Sequence, residues 1–128
     1  MKAWIPLTMI FALGSAAYAD ECTHPSSPSR PPDGNSATKD DMIAGNKAVK
    51  AYTADMDDYL KCLQAKIEAI PDVDPKTLKG SDKTAAEQSM KEKGQLTKKY
   101  DASVDEEKAN AEAFNVQLRA WKAKHSSS

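Results

Sequence analysis

The sequence predicts an all-α fold: an antiparallel two-helix hairpin with a Pro-rich extended N-terminal arm, the arm linked by a disulfide to the first helix. Three observations carry this. Apolar residues recur at helical spacing through two long stretches, with a dozen Pro- and Gly-containing residues between them. Four of the seven prolines fall between residues 20 and 37, where a fixed φ and a missing N–H favour polyproline II and turns over any helix. The chain has two cysteines, one in that arm and one in the first helical stretch. Few aromatics (6%) against 29% charged residues also suit long helices better than a β-sandwich.

The first nineteen residues have the layout of a cleavable export signal. Met1 and Lys2 form a short positive region, Ala3 to Gly14 is apolar apart from Thr8, and Ala17-Tyr18-Ala19 presents the small-x-small pattern that precedes cleavage. The apolar run is too short to cross a hydrocarbon core of about 30 Å, so no stable membrane anchor is expected after cleavage. The acids Asp20 and Glu21 immediately before Cys22 do not fit a lipid-attachment site. Loss of Lys2 with the leader leaves 17 basic against 19 acidic residues. That near-neutral, interleaved charge argues against nucleic acid, which requires a basic face.

The arm spans 20–37 and contains the turn signal Pro31-Pro32-Asp33-Gly34. Thr38 or Ser36 then caps the first helix, with Asp40 and Asp41 placed where the helix dipole favours negative charge. This helix is predicted over 38–70, where Pro71 ends it. Met42, Val49, Met56, Leu63 and Ile70 recur every seven residues. Leu60 and Ile67 flank that stripe on one side, and Tyr52 and Tyr59 on the other, as expected of a helix packed on a partner. The connector is 71–82, with a short helical turn expected at Asp74-Pro75. The second helix is predicted over 83–124, capped by Ser81 or Asp82, or through a box between Thr84 and Glu87. Its weaker stripe runs through Ala86, Met90, Thr97, Tyr100, Val104, Ala111, Phe114, Leu118 and Trp121. Residues 125–128 are expected to fray.

An exported chain enters an oxidising compartment, and two cysteines make one bridge, Cys22–Cys62. On the heptad wheel Cys62 falls beside Tyr52 and Tyr59. The arm is long enough, as polyproline II, to run back from Thr38 to Cys62. The expected arrangement is therefore a three-layer strip. The arm docks on the Tyr52/Tyr59 shoulder of the first helix, and the Leu60/Ile67 shoulder is left for the second.

Other chemistry is thinly represented. Cys22 and His24 have no second Cys/His pair to complete a metal site, and no cofactor is expected. The acidic pairs Asp40/Asp41, Asp57/Asp58 and Glu106/Glu107 read as solvated helix faces, and no histidine is placed to activate a serine. No enzyme activity is expected. Phe114, Leu118 and Trp121 extend the second stripe beyond what the shorter first helix must cover. That end is the expected surface for a protein partner or self-association.

The set Pro31-Pro32-Asp33-Gly34, Ala37-Thr38, Met42, Val49, Tyr52, Met56, Tyr59-Leu60 and Cys62-Leu63 resembles a pattern in small uncharacterised signal-peptide-bearing helical proteins of proteobacteria. The resemblance covers about a third of the chain and implies no activity. The architecture also resembles helical periplasmic chaperones, but their Leu-Thr motif followed by Gln is not matched, because Leu96-Thr97 leads into Lys98 and Lys99. The expected role is a non-catalytic exported helical interaction or structural protein, periplasmic or secreted. A periplasmic holdase-type chaperone or stress adaptor is the alternative.

Overall fold

The structure is a computed structural model that describes residues 21–126. The export signal expected over 1–19 lies outside the described residues, as do Ser127 and Ser128. Among the described residues there are two α-helices and no strand: α1, Lys39–Ala69, and α2, Gly80–His125, with a single 3-10 turn at Pro75–Thr77 between them. No described helix is long and apolar enough to cross a membrane.

The start of α1 is closed by a reciprocal cap. The Thr38 hydroxyl accepts the Asp41 N–H at 3.1 Å, and the Asp41 carboxylate accepts the Thr38 N–H at 3.0 Å. The backbone bond from Thr38 is the main reason the Asp41 carboxyl lies below its ordinary value, with the Thr38 side-chain bond adding to it. At the other end Ile70 leaves the helix with φ −91° and ψ 111°, the extended geometry that Pro71 imposes on the residue before it. The Lys93 ammonium of α2 closes this end, donating to the Ile70 carbonyl at 3.1 Å and to the Asp72 carboxylate at 2.6 Å. A lysine inside the apolar stripe of α2 is thereby explained, since it satisfies a carbonyl that the end of α1 leaves without a helical partner.

In the connector, Asp74 accepts the Lys76 N–H at 2.9 Å and Pro75 opens the 3-10 turn, and this turn packs against α2. Helix α2 begins three residues earlier than the 83 read from the sequence, and none of Ser81, Asp82 or Thr84 caps it. Lys79 occupies the cap position without a side-chain bond. The reason is Gly80, whose φ of +62° turns the chain into the helix before the serine is reached. That left-handed geometry costs glycine little and other residues more. Thr84 instead donates back to the Gly80 carbonyl at 3.4 Å. At the far end, the His125 ring stacks on Trp121 with centroids 4.2 Å apart. Its Nδ1–H donates to the Trp121 carbonyl at 2.8 Å, so the helix keeps its last turn through His125.

Contacts between the helices pair Gly45 with Phe114, Tyr52 with Glu106 and Ile70 with Lys93. As the α1 number rises the α2 number falls. At about 1.5 Å per residue α1 is about 46 Å long and α2 about 69 Å. The excess of α2 lies at its beginning, Gly80 to Glu92, past the end of α1, where the connector's 3-10 turn packs on it. It does not lie at the Phe114–Trp121 end, where the sequence had placed it.

The main core is Tyr52, Met56, Tyr59, Leu60 and Leu63 of α1, with Leu96, Tyr100 and Val104 of α2 and Cys22 of the arm packed against it. Met56 is wholly buried. Helix α1 buries its Met42–Leu63 stripe, whereas α2, although longer, buries only Ala86, Ser103 and Phe114. A clear heptad on one helix is thus met by a looser face on the other, and the arm fills part of the deficit.

Candidate functional site

The arm ends in a covalent anchor. Cys22 and Cys62 form a disulfide with their Cα atoms 5.6 Å apart, bringing the start of the described chain onto the middle of the helical pair. Two residues on, the His24 ring meets the Tyr59 ring edge-on at 5.0 Å. His24 then reaches across to α2, where its Nε2 lies 3.0 Å from a Glu106 carboxylate oxygen.

Glu106 is the centre of a polar knot joining all three segments. One of its oxygens accepts the Ser27 hydroxyl of the arm at 3.0 Å and the Tyr52 phenol of α1 at 3.0 Å. The other faces His24. Asn110, one turn further along α2, donates to the Tyr52 oxygen at 3.3 Å and to the Glu106 carbonyl at 3.0 Å. Burial alone would raise the Glu106 carboxyl. The bonds from Tyr52 and Ser27 and the nearby His24 outweigh that, and the net position is below the ordinary value. Tyr52 is pushed the other way, to about 12, by burial first and then by its bond to the Glu106 carboxylate. Next along α2, Glu107 is raised by burial and by Asp57 facing it from α1.

Further along, Pro32 of the arm and Phe114 of α2 both come up to Gly45 of α1. A β-carbon on Gly45 would come within 2.9 Å of Pro32 Cδ and 3.0 Å of the Phe114 ring. The turn expected at Asp33-Gly34 forms, with the Ser36 and Ala37 N–H groups donating to the Asp33 carbonyl. Gly34 is pressed onto the α2 backbone. A β-carbon there would fall 2.0 Å from the Gln117 carbonyl oxygen and 2.9 Å from the Trp121 nitrogen, so only hydrogen fits. Its N–H donates to the Gln117 side chain at 2.9 Å, and the Lys124 ammonium donates to the Asn35 carbonyl.

The arm therefore lies along the groove between α1 and α2 and touches both. This departs from the expected strip, in which it rested on α1 alone. A tyrosine side chain is long enough to span the edge of a helical seam. Tyr52 thus borders the arm and also bonds α2, where the heptad wheel had placed it on the arm's side only.

On another part of the seam lies an open groove of about 310 Å³ lined by Lys39, Met42, Ile43, Asn46, Phe114, Leu118, Trp121 and Lys122. Phe114 and Met42 are each 4% exposed and form its floor, while Leu118 and Trp121 are half-buried at its side. Ile43, at 44% exposed, is one of two large apolar side chains left substantially in solvent among the described residues. Phe114, read from the sequence as part of a partner surface, is buried with its ring beside Gly45 of α1. The Trp121 indole nitrogen is buried with no hydrogen-bond partner among the described residues.

The cysteines and tyrosines singled out from sequence are thus brought to the arm's groove, and Phe114, Leu118 and Trp121 to the open one. Glu106, Asn110, Gln117 and Gly34 were not singled out as site residues. A signal for three of them exists: Glu106, Asn110 and Gln117 are spaced by four and seven residues, a polar row beside the apolar stripe. No group of three or more Cys, His, Asp and Glu side chains capable of holding a metal occurs among the described residues. No family model matches the sequence, and comparison with curated proteins and with solved structures finds no match.

Proposed function

We propose that this chain is a non-catalytic exported helical interaction protein: a two-helix hairpin stiffened by its disulfide-tied arm, which binds another protein through the open groove at Met42, Ile43, Leu118 and Trp121. The observation that carries the reading is the contrast in cover. The arm closes one stretch of the seam with a disulfide, a polar knot and a fitted glycine turn. Another face of the seam keeps a groove with half-buried Leu118 and Trp121 and the exposed Ile43 around a floor of Met42 and Phe114. Export is supported by the pairing of the chain's two cysteines, which suits an oxidising compartment, together with the leader-like first nineteen residues. The polar knot at Glu106 supports a structural role over a catalytic one. The Glu106 carboxylate is engaged by Tyr52, Ser27 and His24, leaving it poorly placed to act on a substrate.

A photo-crosslinking residue placed at position 43 tests this, with one at Lys91 on the exposed polar face of α2 as the control. The expected result is a discrete protein adduct from position 43 in periplasmic extract and none from position 91. Indistinguishable adducts from the two positions, or none from either, would refute the reading. Suppression of client aggregation at stoichiometric ratio, unaffected by Ile43→Asp, would point to a holdase chaperone instead.

A further inference from the structure

We infer that the open groove takes an amphipathic helix with carboxylates flanking its apolar face, supplied by a different protein and not by a second copy of this chain. The inference rests on reading that groove as a protein-binding surface and adds the partner's backbone form and its charge.

The backbone form follows from what each groove offers. Before its turn at Asp33 the described arm makes no backbone hydrogen bond within itself, and the groove that holds it supplies polar partners. Gln117 takes the Gly34 N–H, Lys124 donates to the Asn35 carbonyl, and Glu106 takes the Ser27 and His24 side chains. Apart from its two lysines, the open groove has Asn46 as its one polar lining residue. An extended segment laid there would leave backbone groups unmet, at a cost that native structures avoid. A helix satisfies its own backbone and presents only side chains. The lining has matching periodicity, with residues 39, 42, 43 and 46 on α1 and 114, 118, 121 and 122 on α2. These are helical i, i+3/i+4, i+7 positions on both walls, the geometry that accepts a third helix by ridge-into-groove packing. The volume, about 310 Å³, has room for one or two large apolar side chains from such a helix.

The charge follows from the rim. Lys39 stands on one wall and Lys122 on the other, and they are the charged residues lining this groove. Both are exposed, and neither makes an ion pair among the described residues. A second copy docking the same face would bring two more lysines, its own Lys39 and Lys122, to the same rim, where like charges repel. An acidic-flanked helix meets a lysine on each side of its apolar anchor.

Two synthetic helices of about five turns, identical in their leucine face and flanked by Glu in one and by Lys in the other, test this by calorimetric titration of the oxidised chain. The Glu-flanked helix is expected to bind at least about fivefold more tightly, as two surface charge pairs can provide. The preference is expected to weaken with salt. Lys39→Glu with Lys122→Glu should reverse the preference. Should that pair of reversals prevent folding, Lys39→Gln with Lys122→Gln should abolish it. Equal binding of the two helices, no binding of either, an unchanged preference in the charge variants, or concentration-dependent self-association lost in Ile43→Asp would each overturn the inference. If position 43 still cross-links a partner while the charge variants change nothing, the groove remains a binding surface and only the acidic helix is wrong. If position 43 cross-links nothing and neither helix binds, the proposed function falls with it.

Discussion

Two faces of one helical seam are treated in opposite ways. Around Cys62, Tyr59, Tyr52 and Glu106 and on to Gly34, the seam is roofed by the arm, which holds both helices at once. At Met42, Phe114, Leu118 and Trp121 a face of the seam has no roof. The difference lies in polarity. The roofed stretch has a polar row on α2, at Glu106, Asn110 and Gln117, that can bond an irregular, proline-containing chain. The open stretch is apolar with a basic rim and has little to offer such a chain. A thin two-helix core needs extra cover to be stable, and here the cover is tied on by a covalent bond, while the remaining apolar surface stays accessible.

If this contrast is right, substitutions on the roofed side lower stability and those on the open side do not. The largest effect is expected from Cys62→Ser. Opening a loop closed across 40 residues should lower unfolding stability by about 4 kcal/mol at most on the chain-entropy argument. Denaturant titration measures this, and the arm's amide protons should lose protection in the same variant.

Gly34→Ala comes next. Its added carbon collides with backbone, not with a mobile side chain, so the turn must lift off α2 at a cost of about 1–3 kcal/mol. The amide at position 34 should then exchange faster while the core around Met56 stays protected. A stable variant with an unchanged amide at position 34 would mean that the roof is not seated on α2.

Tyr52→Phe removes the phenol that joins α1 to Glu106 and Asn110 and should cost about 1–2 kcal/mol. Acid tests the same knot through Glu106. Its folded carboxyl lies below the ordinary value of 4.5, so the unfolded chain binds the proton more readily. The carboxylate's contribution is therefore complete above about 4.5 and is lost as pH falls through the lower folded value. Glu106→Gln should flatten that acid limb, and an unchanged slope would show that Glu106 does not tie the knot.

The smallest effect is expected on the open side. Ile43→Ser should change stability by no more than about 0.5 kcal/mol, because the side chain is already 44% exposed. A loss of 2 kcal/mol or more by the same denaturant titration, well above the usual surface range, would show that this face supports the fold and would erase the contrast.

Much of the frame is legible in local chemistry. The heptad from Met42 to Ile70 specifies α1, Thr38 with Asp40 and Asp41 marks its start, and Pro71 marks its end, each within a residue of the observed Lys39–Ala69. The cysteine pair was legible because the chain has two cysteines, one in the arm and one in the first helical stretch. The start of α2 was not, because a good capping serine at Ser81 is pre-empted by the backbone freedom of Gly80. Glu106 was not either. It looked like half of a solvated acidic pair, since nothing local distinguishes it from Glu107.

Sequence by itself therefore determined which segments are helical and where α1 stops, because propensity, capping and proline act over a few residues. The tertiary structure alone decided which groups meet across more than fifty residues. It placed Tyr52 and Ser27 on Glu106, Gly34 on the Gln117 backbone and Phe114 against Gly45, and it left Ile43 and Trp121 beside an open groove. Those outcomes depend on how the two helices are set against each other and on which wall can satisfy the polar groups of an irregular chain.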